Sequence, residues 1–268
     1  MNRRSFLTLA AAAGAGACSG AVHQLPPVSS QSLGLAQAEV ARAGPPRRHH
    51  VSDAEVDEVL ASALQRIRPA ASTLCREMSV GVCTWRFRVS DDRSLNASAG
   101  PDGLIVVNRG VVEYADNEEQ VAMVIAHEIG HQMADHVATG RRNQVVGAVI
   151  GAVLLGALGA AASSGGYNSS AITQQAAKTG ADVGGAVGRI SFSKEQEREA
   201  DYLAALILYR SGIDLDKARG FLVTLARSSG RRETGMLDTH PAGPERLAAW
   251  DRAVAEVRAS RGRLPQRA

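Results

Sequence analysis

His127-Glu128-Ile129-Gly130-His131 is an H-E-x-x-H set in an apolar run with the period of a buried helix. Four residues advance an α-helix by slightly more than one turn, so both imidazoles leave one face, one above the other. Two such nitrogens can share one tetrahedral Zn²⁺. Glu128 then projects beside the metal, where its carboxylate can take a proton from a water as that water attacks a carbonyl. The spacing predicts metal-assisted hydrolysis of a peptide bond. Taken alone, the five residues have a second reading, a structural pair of helix histidines.

Farther along, Ser193-Lys194-Glu195-Gln196-Glu197-Arg198-Glu199-Ala200-Asp201 opens another helix, with Glu197 and Asp201 one turn apart on one face. Glu197 is the candidate third metal ligand. A metal-bound imidazole needs its outer N–H held by a carboxylate or carbonyl, and Asp201 is the candidate for that duty toward His127. Glu195 and Glu199, with basic neighbours, read as a solvated helix face.

Four separated blocks, spanning roughly residues 52–255, carry a family resemblance. The first is Leu95-Asn96-Ala97 with Gly103 to Val107 and Arg109-Gly110. The second is Asp116-Asn117-Glu118-Glu119 leading into the H-E-x-x-H. The third is Phe192-Ser193 with Glu197, Ala200 and Asp201, and the last is Thr239-His240-Pro241 with Glu245-Arg246. In this order they resemble the gluzincin metallopeptidases of the CAAX-prenyl-protease and HtpX type, and within them the LoiP-type bacterial outer-membrane lipoprotein peptidases. The resemblance implies one Zn²⁺ per chain on His127, His131 and Glu197, with Glu128 as general base.

It also implies that His240 lies close to the metal, either steadying the oxyanion of the tetrahedral intermediate or capping zinc in a closed form. Both readings stand at this stage. Arg246 is expected to pair a carboxylate near the site. In gluzincins an edge strand accepts the substrate as an added strand, which places the peptide beside Asn96 and Ala97. His136 falls about 140° around the helix from His131 if the helix continues, and so should point away from the metal. His23, His49 and His50 read as preceding the folded region.

The N-terminus sets the compartment. Arg3-Arg4 followed by uncharged Phe6 to Ala17 is an export signal, too short to span a bilayer. Ala15-Gly16-Ala17-Cys18 resembles a lipobox, so residues 1–18 are expected to be removed up to Cys18, which would carry lipid; Ser19 then favours the outer membrane. Ordinary cleavage after an A-x-A triplet, leaving a soluble periplasmic chain, is the alternative. Arg3-Arg4-Ser5-Phe6-Leu7 leaves Sec and twin-arginine export both open.

The formal net charge is +3, of which Arg3 and Arg4 supply two; the near-balanced remainder has no nucleic-acid footprint. Cys75 and Cys83, in an oxidising compartment and with seven residues between them, predict a disulfide from a helix end to the first strand. Zinc ligation by these thiols is the weaker alternative.

Residues 19–50, rich in Pro, Ser, Gln and Ala, read as a flexible tether, and residues 51–268 as the metallopeptidase domain. Ser52 and Glu55 form a capping box for a helix to about Arg66. Trp85 to Val89, Leu95 to Ser98 and Gly103 to Asn108 read as strands of a small antiparallel sheet. Helices are expected over 195–209, 215–227 and 245–260, with Gly212 and Gly230 as stops. The fold class is therefore α+β and mainly helical, a zincin-like domain whose active-site helix carries the H-E-x-x-H.

Residues 143–190 are the oddest stretch. Val145 to Ala162 is eighteen residues without a charge, and Gly147/Gly151 and Gly180/Gly184/Gly188 recur every four positions, which suits a close helical hairpin. Eighteen helical residues reach only about 27 Å, short of the ~30 Å hydrocarbon core. A hairpin packed over the cleft or resting on the bilayer surface is preferred to one that inserts. Two functions remain: a zinc endopeptidase acting on misfolded envelope proteins, and a chaperone-like or scaffolding lipoprotein with a gated, rarely active site. Intact Glu128 favours the first.

Overall fold

Every residue from Gln120 to Met133 is buried in the computed structural model, so the helix bearing the H-E-x-x-H is a core element on all its faces. The structure describes residues 21–143, 145, 149, 192–228, 240 and 243–268. The chain divides into two compact units. In one, residues 1–20 and 138–190, the described stretch 138–143 is helical. The expected signal at 1–18 with Cys18, and the hairpin at 143–190 apart from residues 143, 145 and 149, lie outside the described residues.

The other unit, residues 21–137 and 191–268, contains the remaining elements. In chain order these are α1 (Ser30–Arg42), α2 (Asp53–Met78), β1 (Arg86–Ser90), β2 (Ala97–Ala99), β3 (Leu104–Asn108), α3 (Arg109–Tyr114) and α4 (Glu118–Met133). After these come α5 (Lys194–Arg210), α6 (Leu215–Ser228) and α7 (Pro244–Ala259). Helix α4 sits at the centre and packs against α5, α2 and α6 and against strands β2 and β3. Among the described residues no helix is long and apolar enough to cross a membrane.

Local signals start the helices. Ser52 Oγ accepts from the Glu55 amide while Glu55 Oε2 accepts from the Ser52 amide, the reciprocal pair that satisfies two otherwise orphaned donors. Ser193 and Gln196 do the same at α5, and the Asn117 side chain accepts from the Gln120 amide at α4. Helix α2 does not stop near Arg66 but runs to Met78 with Pro69 inside it. A proline within a helix costs roughly 3 kcal/mol. Here Ile67, Ala71, Leu74 and Cys75 beyond or beside it are all fully buried, and tertiary burial of that stripe outweighs the break. Cys75, in the last turn, is disulfide-bonded to Cys83 just before β1, with Cα atoms 5.6 Å apart.

The sheet is mixed, not antiparallel. Its order is β1-β3-β2, with β1 parallel to β3 and β2 antiparallel to it. The chain reverses twice between β1 and β3, so the two run the same way. They become neighbours because β3, with Ile105 and Val107 buried, takes the centre. The turn from β2 to β3 passes Asp102 and Gly103 in the left-handed region; a Cβ on Gly103 would stand 2.0 Å from the Thr84 carbonyl oxygen.

Residues 21–50 are also not a free tether. Ser29 and Ser32 form a capping box that opens α1, which packs on α7 and α6. Arg219 of α6 grips Glu39 of α1 bidentately at 2.6 and 2.7 Å. The prolines and small residues obscured a short helix whose apolar face is only Ala36, Val40 and a few neighbours.

Helix α4 lies close against α5 at Gly130. A Cβ there would stand 2.9 Å from the Ala200 carbonyl oxygen and 3.1 Å from its Cα. Glycine to alanine in an exposed helix gains about 1 kcal/mol, whereas overpacking against a rigid backbone costs about 1–3 kcal/mol. Gly130→Ala is therefore expected to lower stability by up to about 2 kcal/mol net, seen as a lower urea midpoint at unchanged m-value.

Candidate metal centre

His127, Glu128 and His131 come from the C-terminal half of α4, Glu197 and Asp201 from the first turns of α5, His240 from the segment before α7 and Arg246 from its start. The structure brings all seven together, and all are buried. His127 Nε2 and His131 Nε2 face each other at 3.0 Å. Glu197 Oε1 is 3.3 Å from His131 Nε2, and its Oε2 is 3.5 Å from His127 Nε2. His240 Nδ1 stands 2.8 Å from Glu197 Oε1 and 3.3 Å from His127 Nε2. One donor atom from each of His127, His131, Glu197 and His240 lies within 4.8 Å of the others, a set suited to one metal ion.

The electrostatics agree with that use. Burial holds the His131 imidazole well below the usual histidine range, in the neutral form a ligand must have. Burial alone would raise the Glu197 carboxyl, but His240, Arg246 and His127 outweigh it and hold it well below the usual carboxylate range. Among the described residues, both oxygens of Glu128 and Oε2 of Glu197 are buried with no hydrogen-bond partner. Buried carboxylate oxygens without hydrogen bonds are costly, and a cation and an attacking water are partners that would satisfy them.

Arg246 supplies the balancing charge. Its Nε donates to Asp201 Oδ2 at 2.6 Å and its Nη2 to Asp201 Oδ1 at 2.8 Å. Nη1 lies 2.8 Å from Glu197 Oε2 as an ion pair outside hydrogen-bond geometry, so both atoms still lack a directed partner. Asp201 Oδ1 is also 2.9 Å from His127 Nδ1, and Arg246 Nη2 stands 3.1 Å from that nitrogen and 3.2 Å from His127 Nε2, the atom that faces His131 and Glu197. Burial raises the Asp201 carboxyl, but Arg246 outweighs this and the group is held below its ordinary value.

Ala97 opens β2, the strand at one edge of the sheet, which packs along α4, and Asn96 immediately precedes it. Ala97 is buried, and the side-chain oxygen of Asn96 is buried without a hydrogen-bond partner.

Three expectations need correction. Glu199 is not on a solvated face: it is fully buried and touches two histidines. His136 does not point away from the site, because α4 ends at Met133 and Asp135 turns the backbone through φ 59°. The helical rotation that would have carried it off no longer applies, and its Nδ1 is 3.0 Å from His131 Nδ1. His23 does not precede the folded region, since it is buried against Glu199 at 2.6 Å. Burial would raise the Glu199 carboxyl, but hydrogen bonds from His136 and His23 bring it down to about 2. Phe192, which the sequence marks only as part of a motif, stacks its ring on His131 with centroids 3.7 Å apart.

An active-site helix with paired histidines, a carboxylate from a following helix and an arginine-balanced aspartate define a metallopeptidase-type centre on a mainly helical α+β scaffold. The chain belongs to Peptidase family M48, whose model matches residues 61–254. It is 37% identical over 165 residues to the beta-barrel assembly-enhancing protease of Escherichia coli (strain K12), covering 60% of this chain and 32% of that protein. It is 32% identical over 160 residues to Metalloprotease LoiP of the same organism, covering 60% and 59%. Against the mitochondrial metalloendopeptidase OMA1 of Arabidopsis thaliana the identity is 29% over 163 residues, covering 61% and 30%. The matched stretch thus spans about a third of the first and third relatives.

Removing one partner of a buried ion pair strands the other. Arg246→Met is expected to destabilise the metal-free protein by about 3–5 kcal/mol, because Asp201 and Glu197 lose their cation. Urea unfolding in the presence of a chelator measures this; a change below about 1 kcal/mol would contradict the charge balance described.

Proposed function

We propose that this chain is a zinc-dependent endopeptidase of the bacterial envelope that hydrolyses misfolded or misassembled envelope proteins. The observation carrying this reading is the convergence of His127, His131 and Glu197 beside the two partnerless oxygens of Glu128. Zinc, when bound, would polarise the scissile carbonyl and acidify the attacking water. His127, His131 and Glu197 would hold it, and the fit rests on the spacing of their donor atoms, with the His131 imidazole held low and the Glu197 carboxyl held low. Glu128 would accept the proton of the water as its oxygen bonds to the carbonyl carbon, then deliver a proton to the departing amine as the C–N bond breaks. The peptide would lie along β2 beside Asn96 and Ala97 as an added strand.

His240 supports a gated site. Its Nδ1 lies within reach of the donor atoms of His127, His131 and Glu197, so with zinc bound it would be able to take a fourth position, the capping role. Turning away would free that position for water and leave its N–H to steady the oxyanion. The same observation favours the second reading, a chaperone-like or scaffolding lipoprotein whose site seldom opens.

For location, the reading takes residues 1–18 as the export signal and Cys18 as the lipid attachment on the periplasmic side of the outer membrane. Cleavage without lipid would leave the chain soluble in the periplasm. The name of one relative, a protease that enhances beta-barrel assembly, supports envelope proteins as substrates.

The test is Glu128→Gln. Cleavage of an unfolded outer-membrane protein should fall by about 10²–10⁴-fold while zinc content, measured by elemental analysis, stays at one per chain. Wild-type protein that holds zinc and binds the client without cutting it would support the scaffold instead.

A further inference from the structure

The two histidines of the H-E-x-x-H have their outer nitrogens held in different ways. His127 Nδ1 meets Asp201 directly, at 2.9 Å. His131 Nδ1 meets no carboxylate; it meets His136 Nδ1 at 3.0 Å, and His136 Nε2 in turn meets Glu199 Oε2 at 3.0 Å. All three groups are buried.

The direction of the protons follows from the end of the chain. Glu199 accepts from the amides of Val22 and His23 at 2.8 and 2.9 Å and pairs with His23 Nδ1 at 2.6 Å. A carboxylate so surrounded is an acceptor only, so His136 must donate to it from Nε2. Where His136 is neutral with its proton on Nε2, its Nδ1 carries the lone pair, and the one hydrogen shared across 3.0 Å is then the Nδ1–H of His131. The lone pair of His131 then lies on Nε2, the atom 3.0 Å from His127 Nε2 and 3.3 Å from Glu197 Oε1.

We propose that His136 and Glu199 are positioning residues for the metal: together they fix the tautomer and ring orientation of His131, as Asp201 does for His127. This rests on the metal-site reading above. The segment just after the expected lipid-bearing cysteine completes the arrangement, since Val22 and Gln24 are hydrogen-bonded to Ala268 and Gln266 and so hold His23 against Glu199. The N-terminal stretch is in this sense part of the metal site's support.

The experiment is zinc affinity of the full chain by competition with a chromophoric chelator, with folding followed by circular dichroism. His136→Phe fills the space but can neither accept nor donate, and it should weaken zinc binding by about 10–100-fold. His136→Gln, which keeps one acceptor and one donor, should recover most of the loss. A folded His136→Phe chain with wild-type affinity, or His136→Gln as weak as His136→Phe, overturns the proposal. Should His136→Phe not fold, long-range ¹H–¹⁵N spectra of the zinc-loaded wild type decide it. His131 protonated at Nδ1 and His136 at Nε2 support the proposal, and either opposite tautomer overturns it. Wild-type protein that takes up no zinc would sink the metallopeptidase reading as well, whereas insensitivity to His136 with zinc bound sinks this inference alone.

Discussion

The site depends on how closely α4 and α5 approach. At Gly130 the α4 backbone lies against the Ala200 backbone with no room for a methyl group. Gly130 stands between Glu128 and His131, and Ala200 stands between Glu197 and Asp201. A contact at this one point therefore sets the separation of the histidine pair from both carboxylates. Widening it by the size of a side chain would pull Glu197 beyond reach of the imidazoles, since metal–ligand bonds tolerate only a few tenths of an ångström.

Such a contact puts ionisable groups in the middle of a hydrophobic core, and the surrounding chain is arranged to bear them. Arg246, at the start of α7, neutralises Asp201 and faces Glu197. Glu199 is answered by His136, His23 and two main-chain amides. Buried charge costs several kcal/mol unless it is paired and hydrogen-bonded. Among the described residues, three of the four buried side-chain oxygens without a hydrogen-bond partner belong to Glu128 and Glu197, and the fourth is Asn96 Oδ1. A metal and a water at the site would relieve the carboxylate oxygens.

The ends of the chain take part in this support. Residues 22–24 pair with residues 266–268, Arg198 donates to the Pro26 carbonyl at 2.7 Å, and α1 covers α7. An N-terminal segment that looks like a linker by composition is docked on the catalytic unit close behind one of the candidate ligands.

Much of the site was legible in the sequence because its geometry is local. H-E-x-x-H spacing, the one-turn offset of Glu197 and Asp201, and the capping boxes at Ser52 and Ser193 are each settled within about four residues by helical geometry. The disulfide partners and the mainly helical class follow from similarly short-range information. What the tertiary structure alone decided lies at long separation. His127 meets Asp201 across 74 positions, His136 meets Glu199 across 63, and His23 meets Glu199 across 176. The order of the sheet, the survival of α2 past Pro69 and the burial of Glu199 were settled by which surfaces could be removed from water together. Periodicity reports what a residue does to its neighbours along one helix or strand. It carries no information on which distant backbone will pack against it, and that packing turned an acidic helix face into the support of a metal ligand.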